Sequence, residues 1–266
     1  MKFDNNLTVG ILVSTYNWPE ALESILLSIL RQSLLPDEIL IADDGSGKET
    51  RAVISKYKRV LNIPIKYVWH EDRGFRKSTI LNKAMKQAEA DYIIQIDGDI
   101  ILHRNFIEDH ARNAREKSFV QGCRTILDEQ MTQEVIAKNR FVFSFLSRGI
   151  KNRLNAIRMP IFSPLIKSDP QVSRNIKACN IAFWRADYIA VNGYDNHFQG
   201  WGWEDDEFAA RLIHSGVLKR RLKLAAVCYH LNHGLHSRMD IERNRKLYEN
   251  TISKKSKACV NGLAQV

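Results

Sequence analysis

A doubly wound α/β fold with a mostly parallel sheet is the architecture this sequence predicts. Three observations carry the prediction. Short apolar runs alternate with helical periods through residues 8–97, the pattern of parallel strands joined by crossover helices. The runs end in polar groups at Ser14–Tyr16, Asp43–Asp44 and Asp97–Asp99. Ligands of such sheets bind outside the carboxyl ends of the strands, so these three ends should converge on one crevice. The length of 266 residues suits one large α/β domain or two small ones and is ample for a core.

The elements follow in order. "TVGILVS" (8–14) reads as a buried strand. "EALESILLSILRQS" follows, with Leu22, Ile25, Leu26, Ile29 and Leu30 on one face and Pro19 near its start, an amphipathic helix. Residues 37–43, 63–70 and 91–97 are further strands, and 77–90 is helical. A second helix follows "DGSGKET". The middle, 123–176, is less regular and is read as a basic, apolar, mainly helical insertion. Residues 177–195 return to a strand, a short helix and a turn. Residues 204–216 form an amphipathic helix ended by Gly216, and 222–231 another strand. From Met239 a charged helix fades into a polar end that reads as loosely held. These blocks (1–122, 123–176, 177–238 and 239–266) are expected to make one integrated domain.

Composition narrows the class. Apolar residues make up 44% and charged residues 26%, as in ordinary globular proteins. No apolar run approaches the ~18 residues of a membrane-spanning helix. The N-terminal apolar stretch reads as a strand rather than a leader. Four separated cysteines without C-x-x-C argue against a disulfide framework or a cysteine-built zinc site and favour a reducing cytosol. The net charge of +10 is uneven. From Val135 to Ser168 there is no acid, but there are seven bases: Lys138, Arg140, Arg148, Lys151, Arg153, Arg158 and Lys167. Aromatic and aliphatic residues are interleaved with them. Such a stretch fits an anionic membrane surface, an anionic acceptor, or a solvated face. A nucleic-acid partner is not expected, because acids occupy the supposed crevice.

Four motifs carry chemistry. "IIQIDGDIIL" places Asp97 and Asp99 two residues apart at a strand end, a pattern that suits Mg²⁺ or Mn²⁺ beside substrate phosphates; Asp and Gly are also common turn residues. "ADDGSG" offers Asp44 to a ribose or base, or is an ordinary turn. "CYHLNHGLHSR" holds His230, His233 and His236, one or two of which would complete a mixed oxygen and nitrogen metal site. "GWGWEDDEF" joins two tryptophans to Glu204, Asp205 and Asp206. The acids suit a helix start; they also offer a base whose pKa rises among like charges. The glycine patterns of dinucleotide and P-loop sites are missing from the end of the first strand, where "STYNWP" stands.

In this order the pieces resemble a family-2 glycosyltransferase of the GT-A (nucleotide-diphospho-sugar transferase) fold. The similarity runs through "VSTYNWPEALESILLSILRQSLLPDEILIADDGS", "GFRKSTILNKAMKQAEADYIIQIDGD" and "KACNIAFWRADYIAVNGYDNHFQGWGWEDDEFAARLIHSG". The last is similar to the galactosyltransferase-like segment of bacterial chondroitin-polymerase modules and β-1,4-galactosyltransferases. The resemblance implies that Ser14, Tyr16 and Asp44 hold the nucleoside, with Asp44 on the uracil. Arg76, Lys77 and Asn82 would lie near the diphosphate or base, and Asp97 would touch ribose and metal. Asp99, with His233 and His230, would ligate Mn²⁺ (or Mg²⁺). Asn180 and Trp201 would line the sugar pocket, Glu204 would bind sugar hydroxyls, and Asp205 would be the base. Trp203 and Asp206 would stand on the sugar and acceptor side. Two positions depart from the pattern. Leu81 replaces an arginine that many relatives carry, and Trp203 replaces a small residue.

The implied activity is inverting transfer of a hexose or N-acetylhexosamine from a UDP-sugar to a glycan or glycolipid hydroxyl, in bacterial surface polysaccharide or lipopolysaccharide synthesis. The separated cysteines point to a cytoplasmic location, and the basic stretch 135–168 to peripheral contact with the inner face of the plasma membrane. Rival readings are a sugar nucleotidyltransferase and a non-catalytic nucleotide-sugar-binding module.

Overall fold

The computed structural model describes residues 7–166, 168–234 and 239–266. Strands and helices alternate through the first part: β1 (Val9–Thr15), α1 (Pro19–Leu30), β2 (Glu38–Asp43), α2 (Lys48–Val60), β3 (Ile65–Trp69), α3 (Lys77–Met85) and β4 (Tyr92–Asp97). Next come β5 (Ile100–Leu102), α4 (Phe106–Arg112), β6 (Ser118–Gln121), β7 (Thr125–Leu127), α5 (Glu129–Lys138) and β8 (Ile150–Lys151). The last part holds β9 (Ile181–Trp184), α6 (Arg185–Ala190), α7 (Glu204–His214), β10 (Leu218–Arg221), β11 (Cys228–His230) and α8 (Ile241–Lys254).

Seven strands form the main sheet in the order β10-β6-β9-β4-β1-β2-β3. The β4-β1-β2-β3 half is parallel, β10 runs parallel to β6, and β9 runs against both of its neighbours. Alternation along β1 sends Ile11 and Val13 to one face and Leu12 to the other, as a pleat demands. The first face packs on α1 and α2 through residues such as Leu22, Ile25 and Ile54. The second packs on α3, α6 and α7 through Ile80, Leu81, Tyr188 and Phe208. Leu81 is therefore a core residue. Both faces are covered, which is why β1 and β2 read as unbroken apolar runs.

Register positions the site. Ser14 pairs with Asp97 and Thr15 with Asp43 across the parallel strands. The turn after β4 then crosses β1 closely: a Cβ at Gly98 would lie 2.6 Å from the Ser14 carbonyl oxygen. A second sheet, ordered β5-β11-β7-β8, sits beside this turn, and pairing of Ile100 with His230 joins the segment after Asp99 to the histidine strand.

Three expectations change. Of the predicted strand 222–231 only Cys228–His230 is a strand, β11 in the small sheet; β10 (Leu218–Arg221) ends just before it, in the large one. Left-handed Leu224 and Ala226, at φ 63° and 46°, turn the chain between them. Residues 123–176 are not mainly helical: beside α5 they hold two short strands and 3₁₀ turns at Arg153–Ala156 and Pro160–Leu165. The chain end is docked, not loose. The Asn192 carbonyl accepts from Leu263 N, and the Asn192 side chain donates to the Cys259 carbonyl.

Candidate active site

The carboxyl ends of β1 and β4 make the first part of the site. Ser14 Oγ donates to Asp97 Oδ1 at 3.0 Å, and Lys77 Nζ donates to the same oxygen at 2.5 Å. Lys77 opens α3 and reaches inward with little exposure. Burial works against its charge, but Asp97, Asp205 and Glu204 outweigh burial and hold its pKa above the ordinary lysine value. Burial would lift Asp97 as well; Lys77, with Ser14 assisting, prevails and keeps that carboxylate ionised.

Beside it, the end of β2 supplies Asp44. Its Oδ1 lies 2.6 Å from His70 Nε2, and its Oδ2 accepts from Arg76 N at 2.8 Å. Asp44 is thereby aimed, and each oxygen keeps capacity for a second donor. Tyr16 is 52% exposed, and its hydroxyl donates to Asp72 Oδ2 at 2.9 Å. The Arg76 guanidinium donates to the Glu71 carbonyl, while its buried Nε has no hydrogen-bond partner among the described residues.

Asp99, His230 and His233 converge one turn further on. The two histidine Nε2 atoms lie 3.3 and 3.0 Å from Asp99 Oδ2, and one ligand atom from each residue lies within 4.8 Å of the others. Asp99 Oδ1 is buried without a hydrogen-bond partner among the described residues. One carboxylate and two imidazoles, with an unsatisfied oxygen among them, fit a divalent ion of the Mn²⁺ type. Burial keeps His230 toward its neutral, ligating form. Trp18 stands edge-on to His233 at 6.2 Å. His236 lies outside the described residues.

The acids opening α7 close the crevice. Glu204 Oε2 accepts from Gly202 N at 2.9 Å, and Asp205 Oδ2 accepts from Ala178 N at 2.9 Å. Asp205 Oδ1 is buried with no hydrogen-bond partner among the described residues. Burial first, then the neighbouring Glu204 charge, pushes the Asp205 carboxyl up to about 8. Burial also raises Glu204, against the pull of Lys77. A helix start here concentrates four acids in one turn, and the dipole favours their ionised forms only partly against desolvation.

This architecture has known counterparts. The family model "Glycosyl transferase family 2" matches residues 10–169. The chain belongs to glycosyl transferase family 2. Residues 168–234 of this family-2 chain match a second model, the N-terminal domain of galactosyltransferase. It is 28% identical over 227 residues to validoxylamine A glucosyltransferase of Streptomyces hygroscopicus subsp. limoneus, covering 79% of this chain and 48% of that one. It is 24% identical over 252 residues to chondroitin synthase of Pasteurella multocida, covering 85% and 25% respectively. The chain thus spans half or less of these curated relatives. Its fold matches S. aureus TarS 1–349 in complex with UDP, with a TM-score of 0.63 and 16% identity over 94% of this chain and 68% of that one. It also matches the Pyrobaculum calidifontis mannosyltransferase PcManGT in complex with GDP-Man and Mn²⁺, with a TM-score of 0.58, 17% identity, and 87% and 60% coverage. The GT-A expectation therefore holds, and the chain is a glycosyltransferase.

Four expected contact residues of this glycosyltransferase stand elsewhere. Asn82 is fully buried: its Nδ2 donates to the Tyr194 carbonyl and Asn196, and its Oδ1 accepts from Tyr188 and Tyr194 N. It ties α3 to the 194–196 turn and has no surface to offer a nucleotide. Asn180 is likewise buried and spent, donating to the Cys123 and Ala226 carbonyls and meeting His110 Nε2 at 2.8 Å. It braces the two sheets rather than lining a sugar pocket. Asp206 Oδ1 accepts from Ile176 N and anchors that loop. Trp203 faces away from the acids toward α8. It holds a left-handed φ of 72° and stacks on Tyr248 with ring centroids 5.2 Å apart. Trp201 alone of the pair is on the open side, 37% exposed.

His70, Asp72 and Arg124 also border the site and stand outside the candidates that the sequence offers. His70 was findable, because it ends the third apolar run at the crevice edge. Arg124 carries no sequence signal. It reaches Cys179 Sγ at 3.1 Å, and Asp97 and Asp99 help hold its charge against burial.

Proposed function

We propose that this glycosyltransferase moves a hexose or N-acetylhexosamine from a UDP-sugar to an acceptor hydroxyl, with inversion and with Asp205 as the base. The observation that carries the reading is Asp205 itself. Its carboxylate is fixed by Ala178 N through one oxygen, while the other oxygen is buried and unpartnered. Its pKa is lifted to about 8, into the range where a carboxylate accepts a proton efficiently. In the transfer, the acceptor oxygen attacks the anomeric carbon, the bond from that carbon to the UDP oxygen breaks, and the acceptor proton passes to Asp205 Oδ1. Glu204, held by Gly202 N, accepts hydrogen bonds from sugar hydroxyls, and Trp201 offers a stacking face. Tyr16 and Asp44 take the uracil and nucleoside, Ser14 and Asp97 the ribose side, and Lys77 and Arg76 the diphosphate. Asp99, His230 and His233 would hold Mn²⁺ or Mg²⁺, which supplies neutralisation of charge on the leaving diphosphate.

Metal use is supported by the fitted donor set, and a nucleoside-diphosphate donor by the fold shared with a UDP complex and a GDP-Man complex. Acceptors of the surface polysaccharide or glycolipid class agree with the chondroitin synthase relative. A nucleotidyltransferase is disfavoured by family membership and by the base-free Thr15–Trp18 loop. The test is a panel of UDP-sugars assayed for Mn²⁺-dependent hydrolysis and transfer. One donor should be cleaved by the natural protein and spared by Asp205→Asn. Equal turnover by that variant would remove Asp205 from its role.

A further inference from the structure

None of the crevice residues named above lies in the acid-free segment, and its structure is unusual. Eight of the twenty large apolar side chains exposed among the described residues fall between Val142 and Leu165. Ile161 is 83% exposed, and Val142, Leu146 and Leu165 are each 73% exposed. Exposure on this scale marks an interaction surface rather than ordinary scatter.

The backbone that carries them is held firmly. Arg153 donates to the Phe145 and Ser147 carbonyls, Arg158 makes a two-pronged pair with Asp109, and Met159 N donates to the Leu224 carbonyl. Phe143 is buried against Tyr229, the neighbour of His230, with ring centroids 4.5 Å apart. The segment is thus fixed to the metal-bearing small sheet, with its apolar tips in water.

Charge accompanies the apolar surface. Arg148 and Lys151 are exposed and make no ion pair among the described residues. At the other end, a cavity of about 160 Å³ is lined by Ser163, Ser168, Lys219, Arg220 and Arg221. Arg220 there is held below the usual arginine value by burial and by the like charge of Arg115. A cationic hollow beside exposed aliphatic groups complements phosphate headgroups above acyl chains.

We infer that residues 142–165, with the Lys219–Arg221 hollow, dock the protein on an anionic phospholipid bilayer. The apolar tips enter the headgroup boundary, and the exposed bases Arg148, Lys151 and Arg221 meet lipid phosphates, while Lys219 and Arg220 hold the Val172 and Asn113 carbonyls and add their charge from below. Docking would set the small sheet, and with it the metal end of the crevice, toward the lipid surface. The inference stands apart from the donor and the base, since it concerns neither.

Vesicle co-sedimentation of the full chain tests it, using phosphatidylglycerol:phosphatidylcholine 1:1 against pure phosphatidylcholine. Binding to the anionic vesicles should be at least ten-fold tighter and should fall with salt. Removing Arg148 and Lys151 should weaken it by about five-fold per base, and Ile161→Ser with Leu165→Ser by ten-fold or more. Hydrogen exchange on the natural protein reads the same face without substitutions: amides of 142–165 should slow on anionic vesicles alone. Absence of vesicle binding, or equal binding by the variants, overturns the inference. Lipid-free self-association abolished by Ile161→Ser with Leu165→Ser also overturns it, because a second copy would then be the occupant.

Discussion

Lys77 Nζ lies 2.5 Å from Asp97 Oδ1, and the same ammonium is the cation that acts on Glu204 and Asp205. One side chain therefore links the nucleotide end of the crevice to its acid end. Lys77→Ala leaves buried carboxylates without their counter-charge. Breaking such a pair costs up to about 3–5 kcal/mol. Chemical denaturation should show a loss of that order, and donor binding should weaken with it.

Asp205→Asn separates chemistry from stability. Turnover should fall by ~10²–10⁴-fold, while calorimetry should find UDP binding nearly intact. In the folded chain the carboxyl holds its proton up to about 8, against 3.8 in its ordinary state. The folded form thus binds the extra proton between these values, and the natural protein loses stability as pH rises from about 4 through 8. The variant lacks that slope. Its melting temperature should exceed the natural one at pH 9 and approach it at pH 4, with about 2–4 °C for each kcal/mol relieved. Turnover by the natural enzyme should rise as pH climbs through the Asp205 transition.

Metal binding should track the three-residue cluster. Mn²⁺ at a hundred times its dissociation constant should stabilise the natural protein by about 2.7 kcal/mol. His233→Ala and Asp99→Ala should remove that gain in thermal melts and abolish Mn²⁺-dependent UDP binding. An unchanged Mn²⁺ response in both variants would remove this cluster as the metal site.

Asn82→Ala tests a structural assignment. It would orphan Tyr194 N, the Tyr194 carbonyl and the Tyr188 hydroxyl inside the core, at about 1–3 kcal/mol for each unsatisfied group. Denaturation midpoints should drop sharply. A nucleotide-contact role would instead raise the Michaelis constant of a normally stable protein.

Much of the fold was legible because strand ends and helix faces are local patterns. The run 8–14, the Leu22–Ile29 face and the Asp97–Asp99 turn each needed only a few neighbouring residues. Convergence of Ser14 on Asp97 follows from parallel register, which the alternating pattern implies. Asn82 and Asn180 were misread for the same reason that they are well satisfied: their partners lie 46 to 114 residues away in the chain, and no local pattern reveals such bonds. Trp203 was beyond sequence because its direction depends on a left-handed backbone and on Tyr248. The strand read at 222–231 failed where two left-handed residues interrupt an apolar run.

The stacking of Trp203 on Tyr248 has a partner in Thr251, whose hydroxyl donates to Glu207 at 3.0 Å. Helix α8 thus grips the acid-bearing helix at two points, one residue before Glu204 and two residues after Asp205. Modular engineering meets a constraint here. A C-terminal segment grafted from another transferase brings its own foothold for α7, or none. Donor chemistry and the last stretch of the chain are consequently inherited together, and a chimera joined near residue 240 should lose turnover even with every crevice residue intact.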